Sequence, residues 1–225
     1  MKVITVLLAE DHTFVRDGLS ALLKLDGEFL VVGEAENGRQ AVELALLLKP
    51  DVIVMDIAMP ILNGMEATKQ IVKSAPKTKV LILSAHGDDA YVFQAIASGA
   101  AGYLLKKTAA STLPVAIRKV AQGINIFSPE ILKKLNHRKK PGERGKNMQL
   151  SAIELTSRET EVLQLVAEGK CNKESAAVLH ISIKTLEKHR QSLMNKLNLH
   201  ETASLTRYAI AAGIIESSIQ ITVAE

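Results

Sequence analysis

The spacing of hydrophobic and polar positions changes along the chain, and the changes divide it. Val52-Ile53-Val54-Met55 is an unbroken apolar run, mostly β-branched, that ends on the carboxylate of Asp56. Such a run suits a strand buried on both faces of a parallel sheet. Four other short runs behave alike: Ile4 to Ala9 before Glu10-Asp11, Phe29 to Gly33, Val80 to Ser84, and Gly102 to Leu105 before Lys106. Between them the apolar positions recur at helical spacing. Phe14, Leu19, Leu22 and Leu23 form one such set, and Val42, Leu44, Ala45 and Leu48 form a second that must stop near Lys49-Pro50. Further helices are predicted from Asn63-Gly64 through Ser74, from Asp88 to Ser98 before Gly99, and from about Thr112 to Gln122, with Ser111 as N-cap and Gly123 past the end. Five strands alternating with five helices predict an α/β fold. It is a doubly wound, five-stranded parallel sheet in the order 2-1-3-4-5, of flavodoxin-like type.

The pattern changes after Phe127. Ser128-Pro129-Glu130 reads as a helix start, with Ile131, Leu132 and Leu135 as its apolar side, and it gives way to a basic stretch at 138–150 that reads as mobile. The remainder is helical throughout. Thr156 and Glu159 form a capping box ahead of Val162, Leu163, Leu165 and Val166, with Gly169 as the stop. Asn172 is read as the cap of a second helix, Lys173 to Leu179, and Ser182 as the cap of a third, to about Leu197. On the third, Ile183, Leu186, Leu193 and Leu197 are expected on the packed side, with Lys184, Glu187, Lys188, Gln191 and Asn195 opposite. A last helix, roughly Glu201 to Ala212, carries Leu205, Tyr208, Ala209 and Ala212 at helical spacing. Two short helices joined by three residues make a helix-turn-helix, so the C-terminal part reads as an all-α, four-helix DNA-binding domain. The boundaries expected are 1–125, a linker at 126–150, and 151–225.

Charge sharpens this division. The net charge of +4 is not spread evenly: residues 1–125 balance 13 Lys+Arg against 13 Asp+Glu, 126–150 carry 7 against 2, and 151–225 carry 8 against 9. The basic excess lies in the linker, with a second local excess on 182–196 that favours nucleic acid. No run of about 18 uncharged apolar residues occurs, and no leader pattern opens the chain, so a cytoplasmic protein without a membrane partner is expected. The single cysteine, Cys171, excludes an internal disulfide and reads as a tolerated small residue.

The strand ends carry the candidate chemistry. Glu10 and Asp11, Asp56, Ser84 and Lys106 all fall at the carboxyl edge of the predicted sheet, where an open α/β fold forms its crevice. Three converging carboxylates repel one another, and a hard divalent cation, Mg2+, resolves the conflict. Lys106 offers a point charge and Ser84 a hydroxyl to phosphoryl oxygens. Asp56 can then act as a nucleophile toward phosphorus and become an aspartyl-phosphate. A flavin carrier of similar topology would need a phosphate-cradling loop after the first strand, where Glu10-Asp11-His12 stands instead.

Residues 1–125 resemble the receiver domain of two-component response regulators. The resemblance rests on Glu10-Asp11, Asp56-Ile57-Ala58-Met59-Pro60, Asn63-Gly64, Leu83-Ser84-Ala85 and Gly102-Tyr103-Leu104-Leu105-Lys106. It implies Asp56 as phosphoacceptor, Glu10, Asp11, Asp56 and the Ala58 carbonyl around Mg2+, Ser84 and Lys106 on the phosphoryl group, and Ser84 with Tyr103 as a switch pair. The segment Leu155 to Ile215 resembles the LuxR-type domain of the NarL/FixJ class, through Leu155-Thr156-Ser157-Arg158-Glu159, Asn172-Lys173-Glu174, Ile181-Ser182, Thr185-Leu186, His189 and Lys196-Leu197. By that resemblance Glu187, Lys188 and Gln191 face bases, Lys173, Ser182, Thr185 and His189 hold phosphates, and Lys184 belongs to the same face. Leu205, Tyr208 and Ala209 are dimer candidates, so a roughly two-fold site is expected. Ser175 stands where relatives favour an aliphatic residue, and Glu187 where many are basic. The resemblance implies a cognate sensor histidine kinase, promoter DNA, RNA polymerase and a second copy as partners. Catalysis is expected to extend no further than the protein's own phosphotransfer and dephosphorylation. The alternative is a regulator that binds DNA without phosphorylation, its receiver serving as a dimer platform.

Overall fold

The structure is a computed structural model describing residues 3–127 and 155–215, which form two compact units. The helix expected from Ser128 and the basic stretch at 138–150 lie outside the described residues.

The first unit runs β1 (Ile4–Ala9), α1 (Thr13–Asp26), β2 (Phe29–Ala35), α2 (Gly38–Leu48), β3 (Val52–Asp56), α3 (Gly64–Ser74), β4 (Lys79–Ser84), α4 (Asp89–Ala97), β5 (Gly102–Leu105) and α5 (Ala109–Ala121). All strand pairs are parallel and the order is β2-β1-β3-β4-β5, as the sequence predicts. Because side chains alternate across a strand, the apolar runs feed two cores. Leu7, Ile53, Met55 and Ile82 point to one with Ala41, Ala45 and Ile71. Val6, Leu8, Val52, Val54 and Leu81 point to the other with Leu19, Leu23, Leu113 and Ile117. Central strands buried on both faces are what the unbroken apolar runs require.

Register places the polar strand ends. Ala9 lies opposite Met55, so Glu10 comes level with Asp56, and Asp56 lies opposite Leu83, so Ser84 is the next residue outward. Ser84 pairs with Leu105 and hands the edge on to Lys106.

Three expectations need correction. β2 continues past Gly33 to Ala35, because buried Ala35 still packs against the sheet and pairs with Ala9. α5 starts at Ala109, after a 3-10 turn at Lys106–Thr108, so Ser111 sits inside its first turn with its hydroxyl on the Thr108 carbonyl. Pro114 therefore falls inside the helix rather than in its opening turn, where proline is best tolerated. Phe14 does not face the core; it is 91% exposed.

The second unit has α6 (Ser157–Ala167), α7 (Asn172–Val178), α8 (Ile183–Leu197) and α9 (Thr202–Ala211) around Val162, Leu163, Leu165, Leu186, Leu193 and Leu205. The capping box opens α6 as expected, with Thr156 accepting from the Glu159 amide and Glu159 accepting from the Thr156 amide. Asn172 is not a cap. Cys171 takes that place, paired with Glu174, and Asn172 Oδ1 instead accepts from Arg190 Nη1 at 2.9 Å. Ile183 is also displaced from its expected place: it opens α8, before the helix reaches the core, and is 45% exposed. Leu205 and Ala209 are fully buried in their own unit and Tyr208 packs against the same core, so these dimer candidates are occupied by internal packing.

Candidate phosphoacceptor pocket and nucleic-acid interface

The pocket begins with how α3 is held against β3. The Gly64 amide donates to the Ile57 carbonyl at 2.9 Å, and Asn63 caps α3 through the Glu66 amide. A Cβ at Gly64 would lie 1.8 Å from the Asp56 carbonyl oxygen, so only glycine permits this approach. The turn carrying Ala58 is thereby fixed directly after Asp56.

Asp56 is 4% exposed and Glu10 1%. Lys106 Nζ reaches both carboxylates, 3.1 Å from Asp56 Oδ1 and 2.8 Å from Glu10 Oε2. His12 Nδ1 lies 2.8 Å from Asp11 Oδ1 and 3.1 Å from Glu10 Oε1. Burial, and then the Glu10 charge, push the Asp56 carboxyl up to about 6, with Lys106 opposing them. Burial works to lower the Lys106 ammonium, yet Asp56 and Glu10 outweigh it and hold it above its ordinary value. Asp11, then Glu10, hold the His12 imidazole high. The repulsion among three carboxylates is thus answered here by a lysine and a histidine.

The pocket also passes a test for a metal. Glu10 Oε2 and Asp11 Oδ1 are buried, and each meets a single cationic group, Lys106 Nζ and His12 Nδ1 respectively, both at 2.8 Å. Glu10, Asp11 and His12 each offer one ligand atom, all within 4.8 Å of one another. Buried carboxylate oxygens gathered this closely, each answered by one displaceable cationic side chain, suit a hard divalent ion.

Ser84 and Tyr103 meet at one backbone segment. The His86 amide donates to Ser84 Oγ at 3.1 Å, while the Tyr103 hydroxyl donates to the His86 carbonyl at 2.7 Å. The His86 ring stacks on Tyr91 with centroids 4.6 Å apart. Burial pushes the Tyr103 phenol up to about 12, so it remains a donor at neutral pH.

Sequence reading missed His12, Arg16 and His86. His12 follows the acidic pair directly, a signal that was available. Arg16 is buried, donating to the Glu10 carbonyl at 2.7 Å and pairing with Glu34 and Glu36, so it ties the ends of β1 and β2 together. His86 acts through its backbone, which leaves no mark in a sequence.

In the second unit, Ser182 Oγ caps α8 through the Thr185 amide at 3.1 Å, and the two hydroxyls lie 2.8 Å apart. Lys184, Glu187, Lys188 and Gln191 are exposed along α8, with Lys173 exposed on α7 and His189 half-buried. Gln191 Nε2 donates to Asn195. The other two cations of this region are committed internally. Lys196 Nζ donates to Glu159 at 2.7 Å, and Arg190 bonds Asn172 and Thr202. The basic excess on 182–196 is therefore half structural, and Lys184 and Lys188 have no ion-pair partner among the described residues.

A parallel sheet gathering three carboxylates and a lysine at one edge, with a helix-turn-helix on the same chain, defines a signal-receiving regulator. The family model "Response regulator receiver domain" matches residues 6–118, and "Bacterial regulatory proteins, luxR family" matches 154–209. The response regulator protein VraR of Staphylococcus aureus is 38% identical over 213 residues, covering 95% of this chain and 99% of VraR. The signal receiver domain of the putative response regulator NarL from Mycobacterium tuberculosis is 37% identical, with a TM-score of 0.52, over 55% of this chain and 99% of that structure. RcsB from Salmonella enterica serovar Typhimurium, bound to promoter rprA in the presence of phosphomimetic BeF3-, is 26% identical, with a TM-score of 0.55, over 92% of this chain and 98% of its own. The chain belongs to the NarL/LuxR class of response regulators. It is a transcription factor with a LuxR-type DNA-binding domain rather than a classical enzyme. No described helix is long and apolar enough to cross a membrane.

Proposed function

We propose that this response regulator is switched by phosphorylation of Asp56, in a receiver spanning 1–125 that is joined by a 126–150 linker to a DNA-binding domain at 151–225. The observation that carries the reading is that buried Asp56 and buried Glu10 share one lysine, Lys106, at the carboxyl edge of the sheet. The donor is a phosphohistidine on a cognate sensor kinase. An Asp56 oxygen bonds to phosphorus as the phosphorus–nitrogen bond breaks, and the imidazole leaves. With its pKa near 6, Asp56 is mostly ionised at neutral pH and more basic than an ordinary carboxylate. Glu10, Asp11, Asp56 and the Ala58 carbonyl would hold Mg2+, which when bound offsets the charge gathered on the phosphoryl oxygens.

Lys106 moves from bridging two carboxylates to meeting the new phosphoryl oxygens. The Ser84 hydroxyl turns to the same group and releases the His86 amide, and Tyr103 follows because its hydroxyl is tethered to the His86 carbonyl. This rearranged face favours a homodimer in the cytoplasm. Lys173, Ser182, Thr185 and His189 then hold phosphates, while Lys184, Glu187, Lys188 and Gln191 address base edges of a two-fold promoter site that RNA polymerase reads. The similar RcsB is bound to promoter rprA in the presence of phosphomimetic BeF3-, which supports the coupling of phosphorylation to promoter binding.

Intact-mass analysis with acetyl phosphate and Mg2+ tests the site. The expected result is one added phosphoryl group that requires Mg2+ and is lost in Asp56→Asn. Equal loading of Asp56→Asn contradicts it.

A further inference from the structure

α1 turns one charged side chain toward the core. Arg16 shares the buried side of that helix with Leu19, Ser20 and Leu23, and its side chain is only 7% exposed. A guanidinium leaves water at a cost, so a buried one is kept only where its donors are met. Three acceptors meet it: the Glu10 carbonyl at 2.7 Å from Nη1, Glu36 Oε1 at 3.1 Å from Nη2 and Glu34 Oε2 at 3.3 Å from Nε.

These contacts are unequal. Glu34 and Glu36 keep 38% and 66% of their side chains in water, where an ion pair is screened and contributes little. An exposed arginine would serve that pairing as well. The contact with the Glu10 carbonyl is the shortest of the three and is buried, so it is what the burial of Arg16 secures.

That carbonyl has a particular place in the chain. The pairing of β1 with β2 and with β3 ends at Ala9, and the Glu10 amide still donates to the Ala35 carbonyl at 2.9 Å. The next peptide, which joins Glu10 to Asp11, lies beyond the sheet, and Arg16 holds its carbonyl instead. A peptide is planar, so fixing its carbonyl fixes the last backbone torsion of Glu10 and the first of Asp11 together. Those two torsions set how the two carboxylates are aimed relative to each other. α1 is itself tied to this segment, the Arg16 amide donating to the His12 carbonyl at 3.0 Å.

We infer that Arg16 is a positioning residue for the metal: by clamping the Glu10–Asp11 peptide it keeps both carboxylates convergent on one Mg2+. The inference rests on the Mg2+ role given to Glu10 and Asp11 in the functional reading, and adds to it a residue whose contact is with their backbone. The rival role is a fastening of β1 to β2 through Glu34 and Glu36, with no bearing on the ion.

Mg2+ binding to the full chain is measured by titration calorimetry, with urea midpoints alongside, in the parent, Arg16→Met, Arg16→Lys and the double variant Glu34→Gln with Glu36→Gln. The double variant removes both ion pairs but leaves amide oxygens to accept from Arg16, so its hold on the Glu10 carbonyl persists. The expected result is an Mg2+ dissociation constant raised at least roughly tenfold in Arg16→Met and kept within about twofold of the parent in the double variant, whatever either change does to the urea midpoint. The Mg2+ concentration for half-maximal loading by acetyl phosphate rises by the same factor in Arg16→Met, while the rate at saturating Mg2+ stays within about threefold of the parent. A smaller rise in a folded Arg16→Met, or an equal rise in the double variant, overturns the inference. Should Arg16→Met fail to fold, Arg16→Lys decides. A rise of about threefold or more is expected there, because a hydrated ammonium lacks the fork that meets the carbonyl and the carboxylates at once, and a smaller one overturns the inference. A parent that binds no Mg2+ overturns the metal reading and this inference with it, whereas a parent that binds it while Arg16→Met binds equally overturns the inference alone.

Discussion

Both units bury a carboxylate against a lysine, and two of these, Asp56 and Glu159, behave in opposite ways. In the receiver, Lys106 stands 3.1 Å from Asp56, and the carboxyl is nonetheless pushed up to about 6. In the DNA-binding unit, Lys196 stands 2.7 Å from Glu159, and the carboxyl is drawn down to about 2. Burial works to raise both. What differs is the remaining company. Glu159 also accepts from the Thr156 amide and hydroxyl and from the Ser192 hydroxyl, so its charge is fully answered by donors on α8 and at the start of α6. Asp56 shares its lysine with Glu10, whose negative charge opposes its own. One carboxylate is a fastening; the other is kept basic and under-satisfied, which suits a nucleophile.

Removing each carboxylate separates the two roles most strongly. Glu159→Ala strands Lys196, Ser192 and the capping amide, and is expected to cost about 3 kcal/mol, read as a lower urea midpoint. Acid should do the same more gently. A carboxyl lowered in the folded state contributes stability above its unfolded value near 4.5 and loses it as pH falls toward 2. A loss of about 2 kcal/mol is expected across that window, discounted because Lys196 is partly exposed, and it should be missing from Glu159→Gln. Asp56→Asn should act in the other direction. A raised carboxyl destabilises the folded state as pH climbs from 3.8 through about 6, so at pH 7 the amide should stabilise by about 1–2 kcal/mol and raise Tm. A lower Tm would mean that the Lys106 contact outweighs the repulsion. The smallest effect is expected at Ser175, 1% exposed with a hydroxyl that has no partner. Ser175→Ala should gain about 1 kcal/mol in thermal unfolding by removing that unanswered group.

The fold was legible wherever period and punctuation agreed. The apolar runs of β1, β3 and β4 and their polar ends located the sheet edge, and with it the pocket that gathers Asp56, Ser84 and Lys106. Misreadings came where one local signal had a competitor elsewhere. Asn172 is a good cap by type, but Arg190 draws its side chain away and leaves the place to Cys171. Phe14 and Ile183 fit a helical period yet occupy opening turns that the core does not reach, and periodicity is blind to that. The basic charge of α8 looked uniform because a sequence does not record that Glu159 and Asn172 engage two of its cations. The pocket's present balance was hidden in the same way: three carboxylates pointed to a metal, and only their placement shows Lys106 and His12 already between them.

The central claim is that phosphoryl loading of Asp56 is read out as DNA binding by α8. Its most direct test is fluorescence anisotropy of a selected two-fold site against the full chain, before and after acetyl phosphate with Mg2+, in the parent and in Asp56→Asn. The account predicts roughly tenfold tighter binding by the loaded parent, equivalent to about 1.4 kcal/mol, and no change in Asp56→Asn. Equal affinity of the loaded and unloaded parent, with loading verified by mass, would contradict it and leave a regulator that binds DNA without phosphorylation.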